Sequence, residues 1–249
     1  MEKIYGRSAG QGPMPNSFCP GCSYGNVMKT VCESATELEL LDRLVLCDGV
    51  GCYNNLPDLD RFPKFGSQHG RLAATATGFK RCQPDTPLLV FQGDGDCAGI
   101  GLMETVTAAN RGENFTVLML NNLNFGMTGG QMAPTTLVGM KTSTCKQGRD
   151  PAEKGYPLRM AEIIATLDAP KLVARVALYD PKHILEFKRL LKKALEIQTN
   201  GGGYSFIEIL SACPTNWHMK PQQAYDHVRD VVTQTFPLGV FKSVKEVVG

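Results

Sequence analysis

Apolar and polar positions along this chain switch repeatedly between a strand pattern and a helix pattern. Leu88–Gln92 is an apolar run that stops at Gly93-Asp94-Gly95. Phe115–Leu120 is a second such run, and it stops at Asn121-Asn122. The segment between them, from about Cys97 to Arg111, carries helical spacing. Strand, helix, strand in that order predicts a parallel βαβ unit. The same reading gives a helix over Gly25–Leu38 and a short strand over Arg43–Asp48. A loop and a small-residue helix follow within Gly66–Lys80, then a helix over Leu158–Leu167 and a strand over Leu172–Val176. A long amphipathic helix over Pro181–Gln198 is closed by Asn200-Gly201, ahead of a strand over Ser205–Leu210 and a helix over Pro221–Gln234. The tail from Phe236 is mixed. Met1–Ser17, polar and rich in Gly and Pro, reads as an extended arm laid over a partner subunit. The expectation is one α/β domain over residues 1–249, with a mostly parallel sheet covered by helices on both faces.

Composition narrows the class. With 249 residues and 43% hydrophobic content, the chain can bury a full core. A formal net charge of +2 offers no electrostatic footprint for nucleic acid. No apolar run approaches the ~20 residues that span a bilayer, and no signal peptide opens the chain, so no membrane is expected. Nine cysteines, an odd number without an export signal, point to a reducing cytoplasm.

Open α/β sheets bind ligands at the carboxyl edge, and a parallel crossover delivers both strand ends there. Asp94 and Asn122 are therefore expected side by side. Both offer side-chain oxygens, and the backbone carbonyl of Asn124 is available as a third. Mg²⁺ takes oxygen ligands of this kind together with substrate phosphates. The helix start near Cys97–Gly99 adds free amides for an anion. The pattern fits a diphosphate held through a metal. A dinucleotide fold is the rival, because Gly93, Gly95 and Ala98 satisfy the loose G-x-G-x-x-G/A pattern. Asp94 would then face a pyrophosphate with no cation between them, and the second strand ends in Asn where a nicotinamide site wants an acid.

Cys19 and Cys22 form one C-x-x-C. On its own this is a redox pair, a zinc half-site or a cluster half-site. Cys52 and Cys213 are available to complete a four-thiolate set, which spacing alone leaves open between zinc and iron–sulfur. Cys32, Cys47, Cys82, Cys97 and Cys145 fall in helix or strand patterns and read as small buried residues. His69 stands in a loop ahead of the small-residue helix. The turn-rich stretch after Gln131 reads as a loop over the site.

The G-D-G signature with N-N at the next strand end resembles the thiamine diphosphate enzymes. The longer text G-D-G-D…A-A-N-R-G-E-N…N-N-x-N-F-G-M-T-G-G-Q-x-A-P-T-T is similar to the β subunit of 2-oxoacid:ferredoxin oxidoreductases. The resemblance implies a thiamine diphosphate-binding fold with Mg²⁺ on Asp94, Asn122 and the Asn124 carbonyl. Gly93, Gly95, Asp96, Gly126, Met127 and Thr128 would line the cofactor, with His69, in a family-like H-G-R motif, and Thr128 as catalytic positions. It also implies one 4Fe–4S cluster on Cys19, Cys22, Cys52 and Cys213. Trp217 and His218 follow Cys213 in the chain and read equally as a shield for such a cluster or as ordinary packing. The implied reaction is CoA-dependent oxidative decarboxylation of a 2-oxoacid with electrons passed to ferredoxin. Branched-chain substrates such as 3-methyl-2-oxobutanoate, or 2-oxoglutarate, are favoured over pyruvate. An α subunit, with or without γ and δ, would supply the Glu that activates thiamine. No C-x-x-C-x-x-C-x-x-x-C-P run is present, so electrons would leave through another polypeptide. The family motif C-P-G-C-G-H-G departs here to Ser23 and Tyr24, and Phe125 replaces the more usual Tyr. Two other classes are a non-catalytic zinc-binding α/β subunit and a non-redox thiamine-dependent decarboxylase. The latter lacks the four-Cys set.

Overall fold

The computed structural model describes residues 6–12, 16–54, 59 and 61–244. Strands β1 (Val45–Asp48), β2 (Lys64–Gly66), β3 (Leu88–Gly93), β4 (Thr116–Asn121), β7 (Leu172–Ala177), β8 (Ser205–Leu210) and β9 (Gly239–Ser243) form one sheet, in the order β2-β1-β3-β4-β8-β7-β9. Every pairing is parallel except β7 with β9. Strands β5 (Asn124–Phe125) and β6 (Gln131–Met132) make a separate antiparallel pair.

Side-chain alternation sorts each strand between two cores. Leu89 and Phe91 of β3, Leu118 and Leu120 of β4, and Ile207 and Ile209 of β8 pack on one face. That face is covered by α1 (Tyr24–Glu37) and α6 (Pro181–Thr199). Leu88 and Val90, Val117 and Met119, and Phe206 point to the other face. There they meet α2 (Leu72–Cys82), α3 (Leu102–Asn110) and α5 (Met160–Ala165). One further turn of helix, α4 (Pro151–Lys154), precedes α5 and is capped by the Asp150 carboxylate. A mostly parallel sheet with helices on both faces is thus observed. The central strands are buried along their length, which is why they read as unbroken apolar runs. The long helix α6 ends at Asn200 as expected, and at its other end the Asp180 carboxylate accepts from the His183 amide ahead of Pro181.

Several elements differ from the sequence reading. The helix after β3 opens with a π turn at Asp96–Ile100 and becomes α-helical only at Leu102. Gly101 marks the junction: its amide donates to the Asp96 carbonyl at 2.8 Å, an i→i−5 bond. A Cβ there would lie 2.5 Å from the Gly70 carbonyl oxygen, so the turn widens around that contact. The strands β2 and β9, both at sheet edges, have no counterpart in that reading. Neither does the β5–β6 pair. The helix expected over 158–167 is shorter, Met160–Ala165, and the one expected over 221–234 is α-helical from Pro221 to His227, then passes through a second π turn, Val228–Val232. Cys82, expected to be buried, is exposed at the surface end of α2, while Cys145 is buried in a loop rather than in a helix or strand. Of the N-terminal arm, residues 1–5 and 13–15 lie outside the described residues. Residues 8–11 form a turn beside Leu41 and Phe62. No helix among the described residues is long and apolar enough to cross a membrane.

Candidate functional site

The carboxyl edge of β1, β3 and β4 opens into one cleft. Its walls carry Gly93, Asp94, Gly95 and Asp96 after β3, and Asn122, Asn124, Gly126, Met127 and Thr128 after β4. Cys52, His69 and Tyr24 complete it. Parallel topology alone accounts for this gathering, since β3 and β4 are neighbours that point the same way.

Asp94 is buried and its two oxygens have different duties. Oδ2 accepts from the Thr135 hydroxyl. Oδ1 lies 3.0 Å from the Asn122 side-chain amide, which also reaches the Asn124 carbonyl oxygen at 2.7 Å. The Asn122 oxygen faces only these two acceptors. Three oxygens converging without a hydrogen between them repel one another. Either the amide turns over to donate, or a cation sits among them. Burial pushes the Asp94 carboxyl up to about 7, against the pull of Thr135 and the Gly95 amide. A cation at this point would supply the missing charge.

The turn that aims these groups is unusual. Leu123, between Asn122 and Asn124, has φ +64, a left-handed conformation in a non-glycine residue. The Trp217 indole donates to the Asn122 carbonyl at 3.1 Å, so Trp217 braces this turn. Gly126 closes the space. A Cβ there would stand 2.9 Å from the Asn122 amide and 3.4 Å from the Cys52 sulfur. Gly95 has a similar constraint, because the Phe125 ring lies 2.3 Å from where its Cβ would be.

Cys52 follows β1 on a 3₁₀ turn, Cys52–Asn54, and packs against the α1 face. Cys19 and Cys22 stand on the turn before α1, where the Cys22 amide donates to the Cys19 carbonyl at 2.9 Å. Gly21 (φ +79) lies under Pro221 and leaves no room for a side chain. Cys213 follows β8 and precedes α7 (Pro214–Trp217). Ser23 ties the two segments together, its hydroxyl accepting from the Ala212 amide at 2.9 Å. Burial raises the thiol of Cys22 to about 12 and that of Cys52 to about 11. Each is pushed further by Cys19 and Cys213. Like charges in one place hold on to protons until a metal displaces them. Among the described residues no three His, Cys, Asp or Glu side chains are drawn in to metal-ligand distances. Cys47, by contrast, is buried on the opposite sheet face, where its thiol is raised by burial and by Asp48 and Asp96.

Asp96 lines the cleft but spends its carboxylate inside the chain. It accepts from His69 Nδ1, from the Gly70 amide and from Gln92 Nε2. The imidazole is thereby fixed, with its edge toward Phe125 at 5.9 Å. Thr128, at the rim, donates to the Gln131 side chain at 2.7 Å. His218 takes the left-handed cap position after α7, away from the buried core. Sequence reasoning misses Thr135, the bond from Trp217 to Asn122, and Asn216, which donates to the Gly126 carbonyl at 2.9 Å and reaches the Cys213 sulfur at 3.6 Å. Thr135 stands in the A-P-T-T text, which marks the segment but not the role. Nothing local marks Asn216.

Residues 49–209 match the family described as thiamine pyrophosphate enzyme, C-terminal TPP binding domain. Over 242 residues the chain is 43% identical to the ketoisovalerate oxidoreductase subunit VorA of Methanothermobacter thermautotrophicus, covering 97% of this chain and 51% of that one. It thus spans about half the length of the VorA relatives it matches. It is 33% identical over 239 residues to the 2-oxoglutarate synthase subunit KorB of Archaeoglobus fulgidus, covering 92% of this chain and 85% of that one. Its fold is like that of a 2-oxoglutarate:ferredoxin oxidoreductase from Magnetococcus marinus, with a TM-score of 0.77 over 94% of this chain and 84% of that one, at 24% identity. The chain belongs to the β subunits of the 2-oxoacid:ferredoxin oxidoreductases, within the thiamine pyrophosphate enzymes.

Proposed function

We propose that this chain holds thiamine diphosphate, Mg²⁺ and one 4Fe–4S cluster as one part of a hetero-oligomeric 2-oxoacid:ferredoxin oxidoreductase. The assembly carries out CoA-dependent oxidative decarboxylation of a 2-oxoacid and passes the electrons to ferredoxin. The observation that carries the reading is the meeting at Gly126 of an oxygen cradle (Asp94, Asn122, Asn124) and a thiol of the four-cysteine group (Cys52). A thiamine site and a one-electron acceptor belong close together, because two electrons released at once must leave singly. Bound here, thiamine diphosphate supplies the electron sink for C–C cleavage, and the cluster supplies one-electron acceptance.

The chain's own residues then have distinct tasks. Asp94, Asn122 and the Asn124 carbonyl hold the cation, and Gly93 and Gly95, packed against Tyr53 and Phe125, line the cofactor from the β3 side. Gly126, Met127 and Thr128 line the cofactor's flank. Cys19, Cys22, Cys52 and Cys213 hold the cluster. His69, oriented by Asp96, keeps Nε2 available to exchange a proton with a substrate in the cleft. Among the described residues both acids lining the cleft are committed, Asp94 to the cation and Asp96 to His69. The family resemblance assigns the Glu that activates thiamine to a partner α subunit. Met127, exposed on the cleft wall, and Ile100, exposed beside Gly70, fit such a docking face. Nine cysteines, four of them in the cluster set, fit a cytoplasmic enzyme, and the continuous seven-stranded sheet fits one domain.

The names of the VorA relatives favour 3-methyl-2-oxobutanoate as substrate. The KorB relatives make 2-oxoglutarate the second reading. The test is anaerobic turnover of the co-purified assembly with CoA and ferredoxin on a panel of 2-oxoacids. Highest kcat/KM with 3-methyl-2-oxobutanoate is expected. Preference for pyruvate would overturn the substrate reading, and turnover by this chain alone would overturn the partner reading.

A further inference from the structure

Glu208 stands within β8 with no exposure to solvent. A carboxylate there is costly unless every oxygen is engaged. One oxygen accepts from Arg175 Nε at 2.9 Å and from the Ala161 amide at 3.3 Å. The other accepts from Asn121 Nδ2 at 2.7 Å. Arg175 lies beside Glu208 in register on β7, and its remaining donors go to Glu162 and the Pro237 carbonyl. The rings of Phe236 and Phe241 lie against it at 5.3 and 5.1 Å. A polar relay thus crosses three adjacent strands, from Glu162 through Arg175 and Glu208 to Asn121.

The relay ends at the turn that forms the oxygen cradle. Asn121 is the last residue of β4, and its Oδ1 accepts from the Leu123 amide at 3.2 Å. Leu123 is the residue held at φ +64, and its carbonyl is fixed from the other side by the Thr136 hydroxyl at 2.6 Å. A branched apolar residue does not hold a left-handed conformation unless its surroundings impose it. With Leu123 in that conformation, the Asn122 side-chain oxygen and the Asn124 carbonyl oxygen converge beside Asp94. A stabilising ion pair alone would need neither an amide at Asn121 nor a tether to Leu123, and an apolar replacement would serve stability as well.

We propose that Asn121 and Glu208 are positioning residues for the cation site: Glu208 fixes the Asn121 amide, and Asn121 holds Leu123 in the turn that aims Asn122 and Asn124 at Asp94. The inference rests on reading those three residues as cation ligands.

An exchange of the two groups tests it. Asn121→Asp alone sets two carboxylates against each other at the 2.7 Å contact. Glu208→Gln alone leaves either Asn121 or Arg175 facing a donor. In the double variant the bond between the two positions returns with its sense reversed. The amide now on β8 donates to the carboxylate now on β4, and its oxygen still accepts from Arg175. The second oxygen of the β4 carboxylate still accepts from the Leu123 amide. The measurement is Mn²⁺ affinity by electron paramagnetic resonance with thiamine diphosphate present, on the full chain in its purified assembly. Thermal unfolding is recorded in parallel. Each single variant is expected to weaken Mn²⁺ about tenfold, the scale of one lost hydrogen bond. The double variant is expected to recover most of that loss. Single variants that unfold earlier yet bind Mn²⁺ as wild type would reduce the relay to a structural role and overturn the inference. A double variant no better than the singles would also overturn it. Wild type that binds no Mn²⁺ with thiamine diphosphate would overturn the cation-site reading itself, a result distinct from either.

Discussion

Cys47 and Cys52 are five residues apart, and replacing each by alanine separates their roles. Cys47 lies in β1, paired with Phe65 on one side and Val90 on the other, with its side chain in the core under α2. Cys52 has left the strand and packs on the opposite face, beside Gly126 and the cleft. Neighbouring strand positions point to opposite faces, so no rotamer brings the Cys47 sulfur through the sheet to the other thiols. Removing the buried Cys47 sulfur costs about 1 kcal/mol, a typical value for a single core change. In a domain of this size that lowers Tm by roughly 2–4 °C. Iron and sulfide are untouched. Cys52→Ala costs little packing, since the residue is half-buried, but it removes one of four thiolates. The assay is iron and acid-labile sulfide per chain, with visible absorbance, in anaerobically purified protein. Cys47→Ala is expected to keep wild-type iron with the small Tm loss, and Cys52→Ala to lose iron and colour. The reverse pattern would refute the reasoning and move the cluster to the strand. Zinc in place of iron in the wild type would refute the cluster while leaving the thiol set intact.

Two further outcomes follow from the geometry. Asp94→Asn should weaken Mg²⁺-dependent thiamine diphosphate binding about 10- to 100-fold, the range for a charge-assisted contact, with the fold intact; calorimetry giving wild-type affinity would remove Asp94 from the site. His227, packed edge-on to Trp217 at 5.3 Å, has its imidazole held below its ordinary value by burial. The unfolded chain therefore binds that proton more readily. Stability from this group is complete above about pH 6.5 and is lost as pH falls through the folded value. His227→Gln should flatten the Tm-against-pH curve on the acid side of about pH 6.5, and an unchanged slope would contradict the assignment.

Local text determined much of this protein. Buried parallel strands need unbroken apolar runs, so β3, β4 and β8 were legible, as were their endings at Gly93-Asp94, Asn121-Asn122 and the loop to Cys213. Parallel order by itself then puts Asp94 and Asn122 in one crevice. The end of α6 at Asn200 was equally plain, because a cap acts within one turn of its helix. Tertiary structure decided what depends on distant partners. The edge strands β2 and β9 are short and half-exposed, and only their pairing partners make them strands. Asp96 reads as a second cofactor acid, but the approach of His69 and Gly70 from another loop turns it inward. Glu208 looks like a polar interruption of β8, and only the neighbouring strands bring Arg175 and Asn121 to its two oxygens. The separation of Cys47 from Cys52 is a matter of which sheet face each one meets. A side chain's periodicity is written in its own segment, whereas the charge or hydrogen-bond partner opposite it is set by strand order and register.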